Sequence, residues 1–218
     1  MKKETIIKNN VEQRNWFFEM RTEEEDGIGT LEGYPIVFEK STDICGCFEE
    51  TISKEALKKT DMRDIPLLTN HDLNQLPVAR SRRNNENSTM QLTTDEKGLK
   101  MIAKLDLKNN PRSQELFSAV KRGDVDGMSF MFTVDSESWT DEESDYPKRL
   151  IESIGKVWEV SAVTFPAYKD TSIGARSSMD IEEAKLLLEK RRKISGQKKT
   201  DETNLREKLL KQIEIESL

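Results

Sequence analysis

An α+β fold, mainly an antiparallel β-barrel surrounded by helices and carrying a C-terminal helical extension, is what the sequence predicts, on three observations. Short segments rich in β-formers recur from Gly29 to Phe165 between turn signals, one strongly punctuated helix interrupts them, and past Arg176 the pattern changes to helical spacing. Many short strands with one or two helices among them favour a barrel or closed sheet over a doubly wound α/β fold. The 218 residues suffice for one domain and a further segment. The boundaries expected are a polar lead-in over 1–16, a domain over 17–177 and a charged helical tail over 178–218.

The segment GTLEGYPIVFEK (Gly29–Lys40) alternates and reads as a strand with an edge or bend at Pro35. Ser53 can cap a short helix through Leu57, and Ile65–Leu68 is a brief strand that delivers the chain to Asn70, His71 and Asp72. Ser88–Thr93 and Leu99–Leu107 read as a hairpin turning at Asp95–Gly98, with Leu99, Met101, Ala103, Leu105 and Leu107 on one face. Asn110 as N-cap, Pro111 in the first turn, apolar Leu116, Phe117 and Val120, and a terminating Gly123 define a helix. Gly127–Val134 follows as a strand, then an acidic loop through Asp145, a strand near Arg149–Ile154, a turn at Gly155 and a strand over Val157–Phe165, in the order of an antiparallel meander. The tail has helical spacing at Ile181, Ala184, Leu187 and Leu188, a break at Gly196 and a second pattern at Leu205, Leu209 and Ile213.

A formal net charge of −6 opposes unspecific attraction to phosphate backbones, so nucleic acid is a poor default partner. The basic run Lys190–Lys193 reads as a solvated helix end. Cys45 and Cys47 are too close for an unstrained disulfide and too few for structural zinc, which points to reduced thiols in a cytoplasm. No stretch approaches the roughly 18 apolar residues of a membrane span, and MKKETIIKNN has no sustained apolar run, so neither membrane insertion nor export is expected. With no phosphate-binding glycine loop and no metal-ligand cluster in the sequence, no cofactor and no metal are expected.

Three residues can carry chemistry. His71 is the only histidine, and a hydroxyl nucleophile at neutral pH needs an imidazole or amine to take its proton, so a Ser-His enzyme would use it as base. An ordinary surface or core histidine is the alternative. In GMSFMFTV the alternation puts Met128, Phe130, Phe132 and Val134 on a core face and Ser129 on the other, behind Gly127, which permits close approach; a plain strand serine is the alternative. Glu159 sits in a strand apolar on both faces, sharing its face with Val157, Ser161, Val163 and Phe165, where a carboxylate needs a hydrogen-bonding partner. His71 is one such partner; a Lys or Arg, or an edge position, is the alternative. A glutamate on the imidazole would fix its tautomer and stabilise the imidazolium formed as Ser129 attacks.

The segments PLLTNHDLNQLPVAR, ELFSAVKRGDVDGMSFMFTV and KVWEVSAVTFPAYKDTSIGARS resemble, in this order, the signature segments of tailed-phage prohead (capsid maturation) proteases. GTLEGYPIVFEKSTDI and FEETISKEAL resemble that family's first strand and first helix, so the resemblance spans about residues 17–177. It implies a fold similar to the herpesvirus capsid-maturation proteases, an antiparallel β-barrel ringed by helices, and a triad with Ser129 as nucleophile, His71 as base and Glu159 as third member. Herpesvirus enzymes place a second histidine third; this sequence has none, which leaves the role to a carboxylate. After the histidine the family reaches Gly-Arg or Gly-Lys, whereas Pro77, Val78, Ala79 and Arg80 stand here, of which Arg80 alone matches; Arg80 and Gly127 are the oxyanion or substrate candidates.

What the resemblance implies beyond the site is a serine endopeptidase acting inside the phage prohead in the bacterial cytoplasm. Its substrates would be the major capsid protein with its scaffolding segment and the protease itself. Self-cleavage is expected in the Lys/Arg-rich stretch Arg191–Lys199 of the tail. A rival from another class is a non-enzymatic capsid assembly (scaffolding) factor whose barrel binds shell subunits. The stripe of Ile181, Ala184, Leu187 and Leu188 can dock on the chain's own barrel or pair with a second copy as a homodimer.

Overall fold

The computed structural model describes residues 11–17, 20–164, 182 and 184–197. In chain order the elements are β1 (Val11–Phe17), β2 (Arg21–Glu25), β3 (Ile28–Val37), β4 (Thr42–Ile44), β5 (Phe48–Ile52), β6 (Asp64–Thr69), β7 (Ala79–Arg82), β8 (Met90–Thr94), β9 (Gly98–Asp106), α1 (Pro111–Arg122), β10 (Gly127–Thr140) and β11 (Lys148–Val163). Residues 184–197 form a further helix, α2. The chain divides into two compact units: Met1–Ser41 with Thr51–Ser138 and Leu150–Ala175, and Thr42–Glu50 with Trp139–Arg149 and Arg176–Leu218.

The first unit holds two sheets around one core. In one, β1, β10 and β11 lie side by side, β6 pairs with β11, and β7 pairs with β6; the other runs β2-β3-β9-β8 and is antiparallel throughout. The alternation of β9 holds as expected, with Leu99, Met101, Ala103 and Leu105 fully buried. Met128, Phe130 and Phe132 of β10 enter the same core, and Met128 lies so close over Gly33 of β3 that a Cβ there would meet its sulfur at 2.6 Å. Helix α1 is punctuated as its sequence requires. The Asn110 side chain accepts from the backbone N–H groups of Arg112 and Ser113, and Gly123 closes the helix in the left-handed region at φ 77. Its Phe117 packs on the bare backbone of Gly29 in β3.

The second unit contains the β4–β5 hairpin, whose three-residue turn over Cys45, Gly46 and Cys47 has Cys45 and Gly46 left-handed, at φ of 54 and 69. Neither Cys45 nor Cys47 forms a disulfide. Arg149 donates to Glu50 at 2.8 Å, the two side chains 1% and 0% exposed, and Trp139 packs edge-on against Phe48. In α2, Ala184 is buried and Leu187 and Leu188 half-buried, while Arg191 and Arg192 reach Glu142 and the Ser144 carbonyl.

The expected barrel does not close: among the described residues the strands make two sheets. Side-chain hydroxyls explain the seam, because the β7 amides of Arg80 and Arg82 donate to Thr89 Oγ1 and Ser88 Oγ, each at 2.9 Å, rather than to a backbone carbonyl of β8. The expected meander is also cut short, since its last two strands form the single strand β11, and β6 pairs with β11 in parallel. No turn forms at Gly155; β11 is continuous there, and the missing Cβ leaves room for Asp135, whose Oδ1 would otherwise be 2.2 Å away. Residues 54–59 are successive turns instead of a helix, although Ser53 Oγ does accept from the Glu55 N–H, and α2 runs through Gly196 without the expected break. The bend near Pro35 is present as a register shift between Gly33 and Ile36. Phe165, Ile181 and the pattern at Leu205, Leu209 and Ile213 lie outside the described residues. No described helix is long and apolar enough to cross a membrane.

Candidate active site

The end of β6 is turned sharply. Asp72 N–H donates to the Thr69 carbonyl at 3.2 Å, and the two residues between them, Asn70 and His71, have φ of 50 and 58. Left-handed backbone costs a non-glycine residue roughly 1–2 kcal/mol, and asparagine tolerates it best. The turn persists because it is tied to the end of β11. Asn70 N–H donates to the Ala162 carbonyl at 2.9 Å, the Asn70 amide donates to Thr164 Oγ1 and accepts from the Thr164 N–H, and His71 N–H donates to Ser161 Oγ at 3.2 Å. Strain held in this way at one imidazole is a mark of functional sites.

The imidazole is held as firmly as its backbone. His71 Nδ1 lies 2.6 Å from Glu159 Oε1, with side chains 14% and 1% exposed. The other carboxylate oxygen, Oε2, accepts from Ser161 Oγ at 2.6 Å. Both carboxylate oxygens are thus engaged, one by the imidazole Nδ1 and one by the Ser161 hydroxyl. Nε2 is buried and, among the described residues, has no hydrogen-bond partner. Ser161 was not singled out from the sequence as part of this site, and only its place on the Glu159 face hinted at it.

Ser129 lies on the neighbouring strand, on the same face. In β10, Met128, Phe130 and Phe132 point into the core, which turns Ser129 to the other side; in β11, Val160 and Ala162 point into the core, which turns Glu159 and Ser161 to that side as well. Val157 belongs to the core too, so the face expected to be common to Val157 and Glu159 is not shared: core positions step by three from Ile151 through Ile154 and Val157 to Val160. Ser129 is fully buried and donates to the Arg14 carbonyl of β1 at 2.9 Å. Gly127 opens β10, opposite Phe17 of β1. Arg80 is engaged elsewhere, its guanidinium forking onto both oxygens of Asp64 at 2.7 Å each. Among the described residues no group of three or more His, Cys, Asp or Glu side chains could hold a metal ion.

This buried carboxylate, imidazole and serine lie in segments that match a family of known proteins. Residues 17–185 match the family described as caudovirus prohead serine protease. The chain belongs to that family. A relative described as prohead protease, from Enterobacteria phage HK97, is 27% identical over 157 residues, covering 70% of this chain and 62% of the relative, so the chain matches less than two thirds of that protein's length. No solved structure matches. The matched span includes His71, Ser129 and Glu159, and leaves residues 11–16 of β1 and most of α2 outside it.

Proposed function

We propose that the chain is a serine endopeptidase of prohead maturation, with Ser129 as nucleophile, His71 as general base and Glu159 as the group that orients and stabilises the imidazole. The observation that carries this reading is the placement of His71: its Nδ1 lies 2.6 Å from an oxygen of a buried carboxylate, and its Nε2 is buried with no hydrogen-bond partner among the described residues. In the reaction the Ser129 hydroxyl leaves the Arg14 carbonyl by rotating about χ1 and passes its proton to Nε2 as Oγ bonds to the scissile carbonyl carbon. Glu159 keeps the tautomer correct and balances the imidazolium charge. Nε2–H then protonates the leaving amine, and water, deprotonated by the same nitrogen, releases the acyl group from Ser129. Gly127 leaves room beside the nucleophile for substrate backbone. Arg80 contributes to oxyanion binding only if it leaves Asp64, and we assign it no step.

The substrates proposed are the major capsid protein with its scaffolding segment and the chain itself, cleaved inside the prohead in the host cell. Self-cleavage in the stretch Arg191–Lys199 meets helix through residue 197, with Arg191 bound to Glu142, so that stretch must unwind before it can enter an active site. Co-expression with the capsid protein tests the reading. Ser129→Ala is expected to fold as the wild type and to leave the capsid protein and the tail intact; cleavage continuing in that variant would overturn the assignment.

A further inference from the structure

We infer that Ser161 is a positioning residue of this site, a hydroxyl that sets the geometry of both Glu159 and His71 without touching substrate. The inference rests on the Ser-His-Glu reading and adds a fourth member to it. Ser161 Oγ is fully buried and makes two bonds that close a ring: it donates to Glu159 Oε2 at 2.6 Å and accepts from the backbone N–H of His71 at 3.2 Å. The ring is completed by Glu159 Oε1 on His71 Nδ1 at 2.6 Å. One hydroxyl therefore fixes the carboxylate at one end and the left-handed turn that carries the imidazole at the other.

The placement follows from strand geometry. Ser161 stands two residues after Glu159, on the same face of β11, and opposite Leu68 in the parallel pair with β6, three residues before His71. An alanine at 161 would remove the hydroxyl that joins the Glu159 carboxylate to the His71 amide. Glu159 Oε2 would lose its short donor in a dry site, and the His71 amide would lose its acceptor, so the ring and the carboxylate would both gain freedom. A misplacement of about 1 Å in such a constellation can cost on the order of 100-fold in rate. Threonine keeps the hydroxyl and separates its role from mere filling of space.

The experiment uses the full chain and exploits the fact that His71 is the only histidine, so every imidazole signal in a nitrogen-15 spectrum belongs to it. Ser161→Ala is expected to lower kcat on the order of 10-fold to 100-fold with KM little changed, and to shift or broaden the downfield Nδ1 proton; Ser161→Thr is expected to restore both. A fall in kcat with the imidazole signals unmoved, or a kcat within about twofold of wild type, overturns the inference. Ser129→Ala and Glu159→Gln are measured alongside. Activity surviving in Ser129→Ala removes the triad reading, while the spectra of the Ser161 and Glu159 variants still report whether the hydroxyl holds the pair.

Discussion

A carboxylate as dry as Glu159 persists in the folded chain only because both of its oxygens are used, one by an imidazole and one by a hydroxyl. Glu159→Gln keeps the shape but offers an amide that can present N–H to Nδ1, which would favour the wrong tautomer and turn Nε2 into a donor. A loss of kcat on the order of 10,000-fold with the fold intact is expected, as for the equivalent change in other serine hydrolases, measured as steady-state cleavage of a capsid-derived peptide. Asn70 works one step further back. Asn70→Ala removes its bonds to Thr164 and places alanine at φ 50, so the turn should weaken by about 1–2 kcal/mol in chemical denaturation, and kcat should fall with it. These roles were unequally legible in the sequence. A lone histidine, a strand serine and a glutamate in an apolar strand could be set side by side, but Ser161 and Asn70 act through backbone groups of another segment, and residue types alone do not encode that.

Elements were legible where one local rule governs them. The N-cap, proline and terminal glycine of α1 and the strict alternation of β9 specify those elements from within, and both form as read. β11 was misread at Gly155 because its core positions step by three before they step by two, a pattern that neither a regular strand nor a helix predicts. The parallel pairing of β6 with β11 was hidden for another reason: nothing local to either strand specifies it. Two substitutions test the elements. A Cβ on Gly98 would fall 1.9 Å from the Ile36 carbonyl oxygen, a backbone atom that cannot rotate away, so Gly98→Ala should lose about 1–3 kcal/mol in urea unfolding as β3 and β9 are forced apart. Glu50→Ala would remove the carboxylate that pairs with Arg149 in a site with 1% side-chain exposure and should lose about 3–5 kcal/mol, whereas replacing both residues with apolar ones of similar volume should recover most of that loss.

At the scale of the whole molecule, an excess of carboxylates shapes how the fold responds to acid. With 41 Asp and Glu against 35 Lys and Arg, many carboxylates depend on local donors. Hydrogen bonds from the Arg80 guanidinium hold Asp64 below its ordinary 3.8, and backbone N–H donation from Asn109 does the same for Asp106. Asp61 is lowered by its side-chain bonds with Arg63. A carboxyl with a lower pKa folded than unfolded binds fewer protons in the native state, so its contribution is complete above the unfolded value and is lost as pH falls through that value toward the folded one. Because these groups are exposed, each effect is small and screened, and the sum is what becomes visible. The urea midpoint should therefore decline as pH drops below about 4, and Asp64→Asn should lie below wild type at about pH 6, with the gap narrowing as falling pH protonates the carboxyl at 64. A gap that stayed constant from neutral to acid pH would mean that Asp64 acts through shape, and that its charge pairing with Arg80 adds nothing to the stability of the β6–β7 hairpin.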